Sequence, residues 1–355
     1  MTTTPYVDLF CGCGGASVGL TRAGWRCVGG VDVSEDALAI YAANFSGHAT
    51  HRLDLSTPLP VELVAEWRTE LREGVVWASS PCTGFSLATR RPRLGTRSLT
   101  LAVADHVAAL RPRVLLFENV PFARNCEEFK TLVEALRADG YAVAHAVVNV
   151  LVSLGLAQTR KRLVMVARRV DEVARTEVVR EVVREGFCEV ARKAAENELE
   201  ARLQAFAHTN ACTERTERTE LTHTVCSMRA CFANAGISVP HEFIYFQTPD
   251  EKRKRSIYSL DEPGPTIRGC VRPFRPTYKF TARDATHDAS RIFAAECVHM
   301  AALQGFPPEY TWIGCKTAVA RSIGNAVPPP LATALAGLVA TYAMATPWLP
   351  AAAPY

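Results

Sequence analysis

Short apolar runs that each stop on a polar cluster recur through the first 170 residues, and that rhythm leaves few folds open to the chain. Tyr6–Phe10 ends in Cys11-Gly12-Cys13-Gly14-Gly15, and a helical stretch from Ala16 to Ala23 follows. Cys27–Val31 ends at Asp32, where Ser34 is placed to cap a helix running to Asn44. Val75–Ala78 stops at Ser79-Ser80-Pro81-Cys82, and Val114–Phe117 stops at Glu118-Asn119-Val120. Ala142–Val150 and Leu163–Ala167 are further β-rich runs. Near-continuous apolar strands spaced by helices imply an α/β fold, with a mostly parallel sheet and helices on both faces. Ligands of such sheets gather beyond the carboxyl ends of the strands, which is where every polar cluster sits.

Composition fits a large body with a well-filled core. At 355 residues, 48% hydrophobic and 21% charged, the chain is not disordered. A net charge of +4 permits a polyanionic partner without demanding one. No apolar run in the sequence approaches the ~18 residues of a membrane span, and Met1–Tyr6 lacks the regions of a secretory signal. We therefore expect no membrane association and no secretion. Twelve cysteines are scattered along the chain. The close pairs Cys11/Cys13 and Cys226/Cys231 lack zinc-site spacing, so buried thiols in a reducing compartment, with no metal, are expected.

Residues 171–205 change character. Glu177, Glu181 and Glu185 recur at helical spacing with valines between them, which predicts an amphipathic helix. Thr209–Thr224 is polar and loop-like, and Glu251–Arg255 is a compact basic run. From Phe293 the pattern is helical and apolar, with a last helix from Leu331 to Ala343.

Two constellations carry chemistry. Glycines between Phe10 and Ala16 let a backbone approach a ligand, and a helix N-terminus there favours negative charge. Asp32, closing the second strand, is placed to accept from ribose hydroxyls, and Asp54 from an adenine amino group. The second constellation is Pro81-Cys82 on a loop with Arg90, Arg91, Arg93 and Arg97, cations that would activate a thiol. Glu118 ends the next strand, and Gln158-Thr159-Arg160-Lys161-Arg162 adds two arginines that point one way if the segment is extended.

With these residues in view, the sequence resembles the DNA (cytosine-5)-methyltransferase family, which uses S-adenosylmethionine. Asp8–Gly15 resembles its cofactor motif, Pro81–Ser86 its Pro-Cys loop, Glu118-Asn119-Val120 its Glu-Asn-Val motif and Gln158-x-Arg160-x-Arg162 its arginine motif. Pro263–Ile267 is similar to the hinge segment, and Gln304–Pro307 with Gly324–Pro329 to the closing motif. The resemblance implies a Rossmann-like S-adenosylmethionine-dependent domain with a small inserted target-recognition domain. We expect a catalytic and cofactor-binding domain over 1–170, recognition domain and hinge over 171–291, and a returning segment over 292–355. It implies cofactor contacts from Phe10, Gly12, Gly14, Asp32, Val33, Asp54, Leu55, Pro81, Leu99, Asn325 and Ala326. Cys82, Glu118, Arg160 and Arg162 would be catalytic, and Ser86, Arg97, Asn119 and Gln158 would contact substrate.

The implied reaction is methyl transfer to carbon 5 of cytosine. Cys82 thiolate would add to carbon 6, Glu118 would hold a proton at N3, and Arg160 and Arg162 would orient the ring and the Cys loop. Since neither carbon can be reached inside a duplex, the base must be flipped out, and the Arg90–Arg97 loop would close as a lid. The implied partner is double-stranded DNA, bound by a monomer. Target recognition would fall between the arginine motif and the hinge. The helix over 171–205 is acidic and should act as scaffold, leaving 209–255 to face nucleic acid.

Two positions depart from the family pattern. Thr83 stands where Gln or Asn is usual, and Ser80 where a second proline is common. Competing readings are an RNA-directed relative, a silent DNA-binding homologue and a nicotinamide dehydrogenase. The first lacks its Cys-Phe-Thr signature, the second leaves the intact motifs unexplained, and the third lacks G-x-G-x-x-G spacing. With the first motif at Asp8, a stand-alone modifying enzyme of a restriction system, phage or virus is expected. That places it in a prokaryotic or viral cytoplasm, or in the nucleus of a eukaryote.

Overall fold

In a computed structural model of the chain, residues 3–81, 98–170, 227–247, 255–275 and 277–343 are described. Cys82, Ser86, Arg97, the expected helix over 171–205, the polar loop over 209–224 and most of the basic run before Arg255 lie outside the described residues.

Seven strands form one sheet in the order β3-β2-β1-β4-β5-β8-β6. They are β1 (Pro5–Leu9), β2 (Arg26–Asp32), β3 (Thr50–Arg52), β4 (Val75–Ala78), β5 (Val114–Asn119), β6 (Tyr141–Asn149) and β8 (Lys161–Arg169). The pairings from β3 to β5 are parallel, whereas β8 runs antiparallel to both β5 and β6. Every residue of β4 and β5 is buried, because helices cover both faces. The alternation of each strand sends its side chains to opposite cores. Val76, Leu115 and Phe117 face a core with Trp67, Leu71, Val103, Val107 and Leu132 from α3 (Val61–Leu71), α4 (Leu99–Leu110) and α5 (Glu127–Ala138). Val75, Trp77 and Leu116 face one with Leu20 of α1 (Gly15–Arg22) and Leu331 and Leu335 near the C-terminal end.

Local signals explain the boundaries. Ser34 caps α2 (Glu35–Asn44), its Oγ accepting from Ala37 N at 3.3 Å. The run expected as Ala142–Val150 ends one residue earlier, because Asn149 Oδ1 accepts from Leu151 N and starts the short α6 (Val150–Leu154). Gly155, at positive φ, stops that helix.

Beyond the main sheet, β7 (Gln158–Thr159) pairs in parallel with β11 (Gly264–Pro265). A three-stranded sheet contains β9 (Phe243–Tyr245), β10 (Ile257–Ser259) and β12 (Ile292–Ala294). Phe293, expected to begin a helical region, is therefore in a strand paired with β9, and the helix α8 starts at Cys297. A third core joins these parts: Met228 and Phe232 of α7 (Met228–Asn234), Met300 and Leu303 of α8 (Cys297–Gln304), and Ile323 of α9 (Lys316–Asn325).

The last helix, α10 (Pro329–Leu338), packs on α1, and a single π turn over Val339–Ala343 extends it. Among the described residues, Lys316–Thr341 is long and apolar enough to cross a membrane by length and composition, against the sequence expectation. Its apolar residues have another use. The stretch breaks between Asn325 and Pro329, and 61% of its most apolar window is buried inside the protein.

Candidate active site

A cavity of about 380 Å³ opens at the carboxyl ends of β1, β2, β4 and β5 and is closed opposite by Arg321–Val327. Volumes of this order suit a cofactor-sized ligand. Phe10, Gly12, Asp32, Pro81, Asn325 and Ala326 line it, together with Glu118, Asn119 and Arg162.

Asp32 anchors one end. Gly12 N donates to its Oδ2 at 2.9 Å and Ser34 N to its Oδ1 at 2.8 Å, fixing the carboxylate where β2 ends. Each oxygen keeps a lone pair for the hydroxyls of a ribose. Size, glycine-lined wall and fixed acid together suit S-adenosylmethionine.

Other nominated cofactor residues sit elsewhere. Val33 follows the last residue of β2 and is 62% exposed. Asp54 is exposed and accepts from Ser56 N at 2.9 Å, a contact that lowers its carboxyl from the usual value. Leu55 is buried with its carbonyl 2.9 Å from His106 Nε2, and Leu99 begins α4. Gly14 caps α1 at φ 90° and turns its absent side chain toward the protein. A Cβ there would fall 2.6 Å from Phe45 and 2.9 Å from the Tyr310 hydroxyl. None of these five lines the cavity.

The end of the cavity that holds Glu118 is organised by β5 and β8. Their antiparallel register sets Asn119 opposite Leu163, which brings Arg162 beside Glu118. Arg162 Nε lies 2.7 Å from Glu118 Oε1, an ion pair. Arg162 Nη1 also donates to the Lys161 carbonyl at 2.7 Å. Asn119 turns the other way. Its Nδ2 donates to Ser80 O at 3.1 Å and Ser80 Oγ at 3.3 Å, tying the end of β5 to that of β4. Ser80 thus supplies a side-chain acceptor that a proline could not, and its hydroxyl is also 3.1 Å from Thr100 Oγ1. Pro81, next to Cys82, is exposed at the rim of the cavity.

Arg160 and Gln158 do not join this group. Arg160 N donates to Gln158 O at 3.0 Å, a tight turn between β7 and β8, so the alternation expected of an extended segment fails. Arg160 is 1% exposed, and its guanidinium donates to the carbonyls of Ile267 (2.9 Å), Gly324 (3.2 Å) and Ala326 (3.1 Å). Gln158 Nε2 donates to Leu303 O and Gln304 Oε1, both at 2.7 Å, while its Oε1 accepts from Ile267 N at 3.3 Å. Both side chains bind the arginine motif, hinge and closing motif into one unit.

Three further lining residues had no role of their own in the sequence reading: Asp8, within the cofactor motif, Ser79, within the cluster before Cys82, and Trp77. Trp77 Nε1 donates to Ser79 Oγ at 2.7 Å. Asp8 is fully buried and accepts from Ser17 Oγ at 2.7 Å. Burial pushes its carboxyl up to about 7, against the Ser17 hydrogen bond and with added repulsion from Asp32. Its place in the first apolar run, four positions before Gly12, was the available signal. Burial also raises the Cys11 thiol, and the Cys13 thiol to about 12, so neither serves as a thiolate near neutral pH.

Known proteins resemble this chain in sequence and fold. The profile of the family described as C-5 cytosine-specific DNA methylase matches residues 5–340. The chain is 31% identical to the Type II methyltransferase M.HgiDI of Herpetosiphon aurantiacus over 338 residues, covering 95% of this chain and 94% of that one. It is 26% identical to the Type II methyltransferase M.HindV of Haemophilus influenzae, covering 95% and 96%. Among solved structures it is similar to S. pombe Dnmt2 methyltransferase, with a TM-score of 0.60 at 14% identity over 96% of this chain and 99% of the other. A DNA modification methyltransferase described as putative, from an E. coli prophage, gives 0.58 at 16% identity, over 96% and 99%. The fold is therefore that of Rossmann-like S-adenosylmethionine-dependent methyltransferases. The chain belongs to the C-5 cytosine-specific DNA methylases and is a DNA cytosine-5 methyltransferase.

Proposed function

We propose that the chain methylates carbon 5 of a flipped-out cytosine in duplex DNA through a covalent Cys82 intermediate. The observation that supports this most is the meeting of Glu118, Arg162, Asn119 and Pro81 at one end of a cavity whose other end holds Asp32. A cytosine entering past Pro81 would meet the Glu118 carboxyl, positioned by Arg162. When bound, S-adenosylmethionine supplies the methyl group.

The protein's own residues do the rest. The Cys82 sulfur adds to carbon 6, and a proton held by Glu118 at N3 offsets the charge that moves onto the ring. Carbon 5 thereby gains the electron density to take the methyl group. Loss of the carbon 5 proton and departure of Cys82 restore the carbon 5–carbon 6 double bond. Flipping is required because the duplex hides both carbons. Asp32 binds the ribose hydroxyls of the cofactor, and Asn119 holds the root of the Cys82 loop. The Type II names of the relatives support a modification enzyme of a restriction system; action in the cytoplasm as a monomer is part of the same proposal.

Labelled S-adenosylmethionine offered with mixed-sequence duplex DNA and bulk tRNA, followed by nucleoside mass spectrometry, tests this reading. 5-Methyldeoxycytidine from DNA, absent with Cys82→Ala, is the expected result. Label confined to tRNA, or persisting in the variant, would contradict it.

A further inference from the structure

A second cavity, of about 310 Å³, is built from residues on both sides of the hinge segment, with Gln247, Arg255, Tyr258, Arg268 and Arg283 in its wall. It adjoins the active-site cavity across one close backbone contact. Gly324 lines the first cavity, Arg268 lines the second, and a Cβ on Gly324 would fall 2.0 Å from Gly269 N and 2.3 Å from Arg268 C. The Ile267 backbone beneath is pinned by Gln158 Oε1 and Arg160 Nη1.

The three arginines of this cavity are not equivalent. Arg255 is committed to the scaffold: its guanidinium holds both oxygens of Glu262, donates to Ile257 O at 2.9 Å and stacks 4.5 Å over the Tyr258 ring. Arg268 and Arg283 are exposed, and neither has an acidic partner among the described residues. Their backbones are nevertheless fixed. Arg268 rides on the pinned Ile267. Arg283 precedes Asp284, whose carboxylate accepts from Ser256 N, Ile257 N, Thr281 N and the Tyr278 hydroxyl. Gln247 Oε1 accepts from the Cys270 thiol at 2.6 Å, which leaves its NH2 as a further donor in the cavity wall.

The cavity therefore presents donors on rigid roots beside an aromatic wall, with the nearby acids Glu262 and Asp284 already satisfied. Its complement is a group with two adjacent acceptors and no donor between them. In the major groove only guanine offers that pattern, through O6 and N7, while adenine places an amino donor beside N7. We propose that Arg268 and Arg283 read a guanine of the target site in this cavity, next to the flipped cytosine. The inference rests on the chain acting on DNA. It shifts sequence reading from the expected 209–255 segment toward residues 247–283.

The test uses the full-length enzyme and a randomised duplex pool, with methylated cytosines mapped by conversion sequencing for wild type, Arg268→Gln and Arg283→Ala. Melting temperature and cofactor binding verify that each variant is folded. Wild type should require a guanine at one fixed position. At least one variant should lose discrimination there by about 10- to 100-fold, with preferences elsewhere unchanged. A uniform loss on every sequence, with a shallower salt dependence, would mean phosphate contact and overturn the proposal. Unaltered selectivity in both variants would overturn it too. A wild-type enzyme that methylates no duplex would instead bring down the DNA reading on which the proposal stands.

Discussion

Arg162 Nε stands 2.7 Å from Glu118 Oε1, with the two side chains only 12% and 9% exposed. Two neighbouring strands, β5 and β8, hold this pair in the cavity wall, so the acid proposed to meet the substrate is already oriented. Removing the cation strands a nearly buried carboxylate. Arg162→Ala should therefore destabilise the protein by about 3 kcal/mol or more, with Arg162→Lys recovering part of the loss. Urea denaturation of the three proteins measures this, and an alanine variant as stable as wild type would refute the pairing.

Glu118→Gln keeps shape and removes the transferable proton. Single-turnover methyl transfer should slow by about 10²-fold or more, while cofactor affinity stays within about twofold. Equal losses in rate and in cofactor affinity would show that Glu118 supports the cofactor rather than the base.

Gln158 was expected at the substrate and lies instead among Leu303, Gln304 and Ile267. Gln158→Ala should cost about 1–3 kcal/mol of stability by leaving buried groups unpaired. Methyl-transfer rate per folded molecule should hardly change at low temperature. A variant of native stability with weakened DNA binding would restore the substrate role.

Much of the large domain was legible in the sequence because its strands are buried on both faces and end on chemically marked residues. Val75–Ala78 matches its observed bounds, and Ser34 announces its helix. Glu118 and Asp32 were placed correctly at strand ends because a carboxylate after an apolar run has few other sites. Arg160 was misread because alternation holds only in extended backbone, and one tight turn at 158–160 redirects the side chain. The Cβ side of Gly14 faces Phe45 and Tyr310, which the sequence could not show because a glycine that admits a ligand and one that admits neighbouring rings look alike there. The reversed direction of β8 leaves no local mark, since hydrophobic pattern does not encode strand orientation.

The Asp8 carboxyl is raised to about 7 in the folded protein by burial. The folded state thus binds a proton that the unfolded chain releases near pH 4. Its stability should fall as pH rises from about 4 to 7, by roughly 4 kcal/mol if no other group intervenes. Asp8→Asn stays neutral throughout and should be more stable than wild type at pH 8, with the advantage shrinking as pH falls toward 4. A difference that does not vary with pH would contradict the assignment.

The central claim is that Cys82 bonds to the target base, and trapping that bond tests it most directly. Duplex DNA carrying 5-fluorodeoxycytidine, in which fluorine replaces the carbon 5 proton that must leave, would be incubated with enzyme and S-adenosylmethionine. Intact-mass and peptide mass spectrometry would then locate any adduct. The account predicts a stable protein–DNA species with the nucleotide on the Cys82 peptide, lost in Cys82→Ala. An adduct on another cysteine, or unmodified protein from an enzyme that methylates ordinary duplex, would contradict it.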